Sequence, residues 1–230
     1  MKKLISASIV LVAMFAASSN VNAQDVSINS VSLDSWDTIK FSYSPTTLSY
    51  KSYMGEYIDL NGFSFEYMQG QNIVDNKPIF LEWGIGTEIL NYTDKYSSVD
   101  YDGYRVYTEE KITIADTYIP VIIGYKLALN DNIIIMPYVG IKAQYNWYGR
   151  YTYDLSSELS SNSKEYDLFS KSEMEGSTLK LALVSLHIGA TIEMDTWSIG
   201  IRYGKCFSNE IIKHLDTELI YTSISVGYYF

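Results

Sequence analysis

The sequence is poor in the features on which several common classes of protein depend. Its one cysteine, Cys206, cannot form an internal disulfide, so a disulfide-stapled fold is excluded. The 17 lysine and arginine residues are outnumbered by 27 acidic residues, and a surface with this formal charge of -10 repels nucleic acid. Beyond residue 23, no apolar run reaches the roughly 20 residues that a transmembrane helix needs. The chain is therefore predicted to be neither a nucleic-acid-binding protein nor a helical membrane protein.

The N-terminus has the layout of a cleavable signal peptide. Two lysines follow the first methionine, an apolar run extends from Leu4 to Ala17, and small and polar residues continue to Ala23. The apolar run is too short to span a bilayer, which favours cleavage over a retained anchor. We expect a signal peptide over residues 1–23, a short periplasmic segment over 24–35, and one domain over 36–230.

Tyrosine is unusually frequent, with 22 residues against 14 glycines and 4 prolines. An amphipathic ring of this kind is favoured where a membrane meets water. Eight segments alternate between large apolar side chains and small or polar ones, which is the pattern of strands with two different faces. The parity that carries most large apolar residues is predicted to face outward. It comprises Ile39, Phe41, Tyr43; Phe63, Phe65, Tyr67; Ile79, Leu81, Trp83, Ile85; Ile119, Val121, Ile123, Tyr125, Leu127; Ile135, Val139, Ile141, Ala143, Tyr145, Trp147; Ala182, Val184, Leu186, Ile188, Ala190, Ile192; Trp197, Ile199, Ile201, Tyr203; and Ile220, Ile224, Val226, Tyr228, Phe230.

The opposite parity holds glycines and charged side chains. In a soluble sandwich this charged face would meet water, and its glycines would have no evident purpose. In a narrow barrel the charged face lies inside, where a glycine beside a long side chain lets that side chain fit. We therefore predict an all-β fold, namely an eight-stranded antiparallel up-and-down transmembrane β-barrel. The inward glycines are Gly62, Gly84, Gly86, Gly124, Gly140, Gly189, Gly200, Gly204 and Gly227.

The connections between the eight segments alternate between long and short, as expected for extracellular loops and periplasmic turns. The short ones are Gln69–Lys77, Asn130–Asn132 and Asp195–Thr196; the long ones are Ser44–Glu56, Asn91–Glu110, Gly149–Thr178 and Lys205–Glu218. With both termini periplasmic, two aromatic girdles are predicted. Trp197, Tyr228 and Phe230 form the inner one, and Tyr43, Tyr145, Trp147 and Tyr203 the outer one. Because proline cannot donate to a sheet ladder, we expect local bulges at Pro120 and Pro137.

Several stretches resemble successive strands of one barrel family. They are YIPVIIGYKL, MPYVGIKA, LVSLHIGATIEM and SIGIRYGKCFSNE, followed by the C-terminal YTSISVGYYF. The chain resembles the outer-membrane β-barrel family of Bacteroidota-type bacteria, described as porin-like or PorT-like. This resemblance implies the outer membrane of a Gram-negative bacterium, with lipid as the surroundings. It also implies that the barrel assembly machinery reads the C-terminal signal that ends in Phe230. It implies no catalytic residues.

Charged residues of inward parity are the candidates for chemistry inside the barrel. His187 with three glutamates has no ligand spacing that would fix a metal site, and no serine and histidine are placed together for acyl transfer. The sequence therefore predicts no catalytic, cofactor-binding or metal-binding residues. Because buried charges must be paired or hydrogen-bonded, we expect a polar network that fills the lumen. Its members are Lys40, Glu66, Glu82, Lys126, Lys142, His187, Glu193 and Arg202.

The long loops are rich in tyrosine, serine and acids. Tyrosine and serine make adaptable binding surfaces, so the loops are a candidate contact surface for an extracellular ligand. The alternative is that they extend the barrel wall and stay solvated. The candidate contacts are Tyr101, Tyr104, Tyr107, Tyr151, Tyr153 and Tyr166. The leading hypothesis is a non-enzymatic structural or adhesive surface barrel. A small porin-like channel and a PorT-like component of a secretion assembly are the alternatives.

Overall fold

A computed structural model describes most of the predicted domain. The described residues are 35–50, 57–73, 77–99, 103–130, 132–157, 160–173, 178–208, 211–213 and 216–230, all within the compact unit Leu33–Phe230. The expected signal peptide and residues 24–34 of the expected periplasmic segment lie outside the described residues. Within them, no helix is long and apolar enough to cross a bilayer.

The described residues form ten antiparallel strands. Their bounds are β1 Ser35–Tyr50, β2 Tyr57–Asn72, β3 Ile79–Val99, β4 Arg105–Tyr125, β5 Leu127–Asn130, β6 Ile133–Ser157, β7 Ser161–Asp167, β8 Ala182–Met194, β9 Trp197–Cys206 and β10 Thr217–Tyr229. Eight of these strands are long, and each pairs with two others of the eight. The other two, β5 and β7, are short and pair with opposite ends of β6.

The eight long strands close on themselves, which confirms the predicted eight-stranded antiparallel barrel. The order is β1, β2, β3, β4, β6, β8, β9, β10 and back to β1. Following paired residues around the ring, a path that leaves β1 at Asp37 returns to β1 at Thr47. The path is Asp37, Gln69, Trp83, Val121, Ile141, Leu186, Lys205, Ile220 and Thr47. This stagger requires strands tilted by roughly 35–45° to the barrel axis, as in other closed barrels.

The predicted two faces are confirmed in all eight segments. Every side chain predicted to face outward is exposed or half-buried, and the charged residues predicted to face inward are buried. One parity thus packs inside the ring and the other covers its outer surface. The alternation that the sequence shows is therefore the alternation of the closed sheet.

Two of the predicted long loops are largely strand. Residues 91–110 were expected to be a loop, but β3 continues to Val99 and β4 starts at Arg105. Residues 149–178 were likewise expected to be a loop, but β6 continues to Ser157 and β7 pairs with it. In these stretches polar side chains alternate with tyrosine. A search for alternating large apolar residues therefore does not recognise them as strands.

The expected bulges at the two prolines are wrong. Pro120 pairs with Lys142 and Pro137 with Ala190, and the register is unchanged at both positions. The shift in the β4–β6 ladder lies between Ala115 and Asp116 instead. The β3–β4 ladder lacks pairs at Ile119 and Pro120 but keeps its register on both sides. Proline has no backbone N–H to donate to a ladder hydrogen bond.

The two-residue turn between β8 and β9 marks one end of the barrel, which we call the turn end. Asp195 begins this turn with φ of 57°, a left-handed conformation that aspartate tolerates and that such tight hairpins require. The opposite end, towards which β3, β4 and β6 extend, is the loop end.

Candidate functional site: the barrel interior and the projecting sheet

The outer surface of the ring is apolar where a soluble protein would be polar. Phe41 is 64% exposed, Phe63 63% and Ile119 55%, and such side chains recur on all eight long strands. The exposed isoleucine, phenylalanine, tryptophan and tyrosine side chains form a band around the ring. Such a band is larger than the exposed apolar patches of ordinary soluble monomers. The arrangement matches the lipid-facing band of a membrane barrel.

Aromatic side chains concentrate at both margins of this band. At the turn end, the rings of Trp197 and Tyr228 are 5.1 Å apart, and Phe230 stacks on Tyr228 at 6.5 Å. Towards the loop end, Tyr145 and Trp147 are both more than half exposed. These are positions where an amphipathic ring can meet both apolar chains and water.

Inside the barrel, large rings lie over glycines of the neighbouring strand. Tyr118 is registered directly opposite Gly86, and a Cβ at Gly86 would come within 2.5 Å of the Tyr118 ring. The same pairing joins Tyr138 to Gly189. Further pairs of this kind are Trp36 with Gly70, Phe80 with Gly124, His187 with Gly140, and Tyr221 with Gly204. Each missing side chain thus makes room for one ring in a narrow lumen.

The central charge pair of the lumen joins two distant parts of the chain. The Arg202 guanidinium donates from both terminal nitrogens to the Glu66 carboxylate, at 2.7 and 3.0 Å. The Tyr118 hydroxyl donates to the same carboxylate at 2.8 Å. Because all three side chains are buried, this bidentate contact compensates charges that have lost their water.

Two further ion pairs lie on either side of this central pair. Towards the turn end, the Lys40 ammonium lies 3.1 Å from Glu82, which also accepts a 2.8 Å hydrogen bond from the Trp36 indole. Towards the loop end, the Lys142 ammonium lies 2.6 Å from Glu88. Three ion pairs therefore follow one another along the polar part of the lumen.

Three residues proposed for the network have no ion pair among the described residues. Lys126 instead lies over the Trp36 ring, 3.5 Å from its centre. His187 meets the edge of Tyr138, and both of its ring nitrogens are buried without a hydrogen-bond partner. Glu193 likewise has one buried oxygen without a partner. These three lie in the lumen, and Lys126 reaches the Lys40–Glu82 pair only through the shared Trp36 ring.

Several interior polar residues were not singled out from the sequence as network members. Glu88 and Asp116 lie just beyond the segments in which alternation was recognised, and Gln144 donates to Asp116 at 3.2 Å. Gln144 also donates to Asn146, whose amide donates to the Lys180 carbonyl at 2.7 Å. Their even numbers on β3, β4 and β6 give the inward parity, which was the available signal.

The loop end of the lumen is closed by an apolar cluster, which we call the cap. Strands supply part of it, and loop residues fold in to supply the rest, held by backbone bonds from Leu179 to Leu168 and from Lys180 to Ile211. The cap consists of Leu48, Leu60, Leu90, Ile114, Leu168, Leu179, Leu183, Cys206, Ile211, Leu219 and Tyr221. The lumen therefore changes from polar to apolar along its length, and sequence alternation alone did not indicate this.

Beyond the ring, β3, β4 and β6 continue and β7 joins them, and we call this extension of the sheet the projecting sheet. Pairing of β2 with β3 ends at Asn91, and pairing of β6 with β8 ends at Tyr145. Beyond these residues, the strands β3, β4 and β6 pair only with one another and with β7. The projecting sheet comprises Tyr92–Val99, Arg105–Thr113, Arg150–Ser157 and Ser161–Asp167.

On the face continuous with the outside of the barrel, most charges of the projecting sheet are paired. The Glu109 carboxylate lies 3.1 Å from the Lys95 ammonium and 3.0 Å from that of Lys111. Arg150 lies 2.9 Å from Glu165 on β7. Hydrogen bonds from Lys111 and then Lys95 lower the pKa of Glu109. An open pocket of about 370 Å³ lies on this face beside Tyr107 and Glu109.

The face continuous with the lumen has a different composition. Its first row is Tyr92, Ile112, Tyr151 and Tyr166, of which the first three pack on the cap. Its second row is Asp94, Glu110, Tyr153 and Lys164. Tyr151 stacks on Tyr166 at 5.9 Å, and the Tyr96 hydroxyl donates to Glu110 at 3.0 Å. Burial and then the negative charge of Glu110 raise the pKa of Tyr151 to about 12.

Five of the six candidate loop tyrosines are described, and they lie in three places. Tyr101 lies outside the described residues, and Tyr104 lies in the turn between β3 and β4. Tyr107 lines the pocket on the outer face. Tyr151, Tyr153 and Tyr166 lie together on the lumen-side face of the projecting sheet. Across the described residues, no group of three histidine, cysteine or acidic side chains could hold a metal ion.

No family model matches the chain, and no curated protein matches it. Solved structures with a similar fold are small outer-membrane β-barrel proteins. The attachment invasion locus protein Ail of Yersinia pestis, solved with a heparin analogue, is 14% identical with a TM-score of 0.38, over 86% of this chain and 100% of that one. The outer-membrane enzyme PagL is 11% identical with a TM-score of 0.36, over 83% and 98%. Neisserial surface protein A is 15% identical with a TM-score of 0.39, over 84% of this chain and 97% of that one. At these identities and TM-scores, the function of none of these proteins is transferred to this chain.

Proposed function

We propose that this chain is a non-enzymatic integral outer-membrane barrel with a structural or adhesive role at the cell surface. The observation that carries the proposal is the inversion of polarity, with an apolar aromatic band outside and paired charges inside. A surface of this kind is stable in lipid and would aggregate in water. In this placement the turn end faces the periplasm and the loop end faces outside.

The projecting sheet is the contact surface that we assign to this role. It is built on a rigid ring, it extends beyond the apolar band, and one of its faces concentrates tyrosine with acids. Tyrosine supplies a large amphipathic contact area with few rotatable bonds, which suits recognition.

The absence of catalysis is also part of the proposal. A hydrolase would need a nucleophile and a base in hydrogen-bond reach. His187 is buried in the polar lumen with unpartnered nitrogens. Membership of the Bacteroidota barrel family and recognition of Phe230 by the assembly machinery are also proposed, on the strength of the sequence resemblance. The proposed signal peptide rests on the layout of the N-terminus.

A folding test in lipid examines the placement. Folded β-barrels of this class resist detergent at room temperature, so unheated and boiled protein should migrate differently on a gel. A mature protein that is soluble without detergent and shows no such shift would falsify the membrane assignment.

A deletion examines the contact role. Asn91 and Thr113 are direct partners, so residues 92–112 can be replaced by a two-residue turn that preserves the ring. We expect the shortened protein to keep its heat-dependent migration and to lose attachment of the producing cells to host surfaces. Unchanged attachment with normal folding would remove the contact role while leaving the membrane placement intact.

A further inference from the structure

Two carboxylates on the projecting sheet are placed where they repel each other. Asp94 on β3 and Glu110 on β4 are registered directly opposite on the lumen-side face. Directly opposed like charges destabilise a sheet, since their Cβ atoms are about 5 Å apart. Among the described residues, no ion pair joins either carboxylate to a cation. The nearest registered cation of this row, Lys164, stands two strands from Glu110 beyond Tyr153.

Most acids on the opposite face of the projecting sheet are paired with a cation. Glu109, Asp154 and Glu165 each have a cationic partner within 4.0 Å. The directly opposed acids that lack a cationic partner therefore lie on the face where the tyrosines lie.

Tyrosine rings surround the two carboxylates. Tyr96 donates its hydroxyl to Glu110, and its side chain remains 47% exposed. Tyr92 and Tyr151 flank the acids from the row below, and Tyr153 lies beside Glu110 in the same row. Burial and then the Asp94 charge raise the pKa of Tyr92, while the hydrogen bond to Glu110 is the first cause that raises the pKa of Tyr96. These tyrosines thus lie beside negative charge, and Tyr96 keeps an exposed ring.

We propose that this face binds an arginine- or lysine-bearing segment of an extracellular protein partner, which deepens and rests on the proposed contact role. A guanidinium can stack on a tyrosine ring while its N–H groups donate to a carboxylate. This face offers a tyrosine ring and carboxylates side by side. The partner's positive charge removes the repulsion between Asp94 and Glu110. Binding at this face therefore relieves a cost that the free sheet carries.

The test uses a fluorescent hexa-arginine peptide and the full mature protein in lipid nanodiscs. We expect Asp94→Asn with Glu110→Gln to weaken binding about tenfold or more, because charge-assisted contacts are lost. The matched control, Asp154→Asn with Glu165→Gln, removes the same charge from the opposite face and should leave binding within about twofold. Tyr96→Phe should retain binding and Tyr96→Ala should weaken it, since the ring face carries the stacking.

A second readout separates recognition from damage. The Asp94→Asn, Glu110→Gln protein should unfold at an equal or higher urea concentration than the parent, because it no longer holds opposed like charges. Absence of peptide binding by the parent, or equal losses in both double variants, would overturn the proposal. If the double variant loses the peptide but its cells still attach, the cationic partner is wrong and the contact role survives. If deletion of residues 92–112 leaves attachment unchanged, the contact role itself fails.

Discussion

Tyr221 lies directly opposite Gly204 across the β9–β10 ladder, and a Cβ at Gly204 would lie 2.2 Å from the tyrosine ring. The ring is buried as part of the cap, and the Lys142 ammonium of the polar lumen lies 5.1 Å from its centre. Glycine is needed here for close approach, because any larger residue would drive the ring into neighbours that are already packed.

We therefore predict that Gly204→Ala destabilises the barrel by about 1–3 kcal/mol, the usual cost of overpacking a core. Urea unfolding of the protein in vesicles would measure the change. Ala143→Val adds bulk on the exposed outer face and serves as the control, with an expected change below about 0.5 kcal/mol. Equal stability of the Gly204 variant and the parent would show that the ring can move aside.

The central ion pair gives a second prediction. Glu66→Gln leaves the Arg202 guanidinium buried without its counter-charge, and we expect a loss of about 3–5 kcal/mol in unfolding free energy. The double variant Glu66→Gln, Arg202→Met removes both charges and should recover most of that loss. The exposed pair provides the comparison, because Glu165→Gln should cost less than about 1 kcal/mol. A double variant as unstable as the single one would contradict this account.

The projecting sheet should show a defined pH dependence through Glu109. Lys111 and Lys95 lower the pKa of this carboxyl in the folded state. A lowered folded pKa means that the stabilisation is present above the unfolded value of 4.5 and is lost as the pH falls through the lower folded value. Hydrogen exchange of β3 and β4 should therefore be faster in Glu109→Gln than in the parent at neutral pH. The two proteins should become equal in acid, and a difference that persists there would contradict the assignment.

The cap predicts that the barrel does not conduct. Eight strands leave room for little more than side chains, and the loop end of the lumen is packed with leucine and isoleucine. In a planar bilayer we expect no steady channels from the parent protein. Leu168→Asn with Leu179→Asn should loosen the cap and produce intermittent leak. Reproducible channels from the parent would restore the porin-like alternative.

The faces of the ring could be predicted because lipid and lumen impose opposite demands on alternate residues. Phe41 and Lys40 are neighbours in sequence, but one meets apolar surroundings and the other pairs with Glu82. A period of two in side-chain size and charge records that difference directly. Strand ends were predicted less well, because β3 leaves the apolar band at about Asn91 and continues with tyrosine and charged residues that no longer contrast in the same way.

Partner choice inside the lumen could not be predicted. Arg202 and Glu66 are 136 residues apart, and only the register of the three ladders β2–β1, β1–β10 and β10–β9 brings them together. The cap was missed for a similar reason, since Leu168, Leu179 and Ile211 come from stretches without alternation. The opposed carboxylates Asp94 and Glu110 became visible only with the β3–β4 register, within a stretch expected to be a loop.

The pairing of β1 with β10 has a consequence for the order of biosynthetic events. Thr38 pairs in register with Tyr229, so β1 receives its second neighbour only once β10 has been synthesised. Until then two sheet edges remain open, and open edges invite pairing with other chains. The ring therefore cannot close before β10 is available. The unclosed sheet must be kept from aggregating until then, and the closing step is one long-range event that joins β1 to β10.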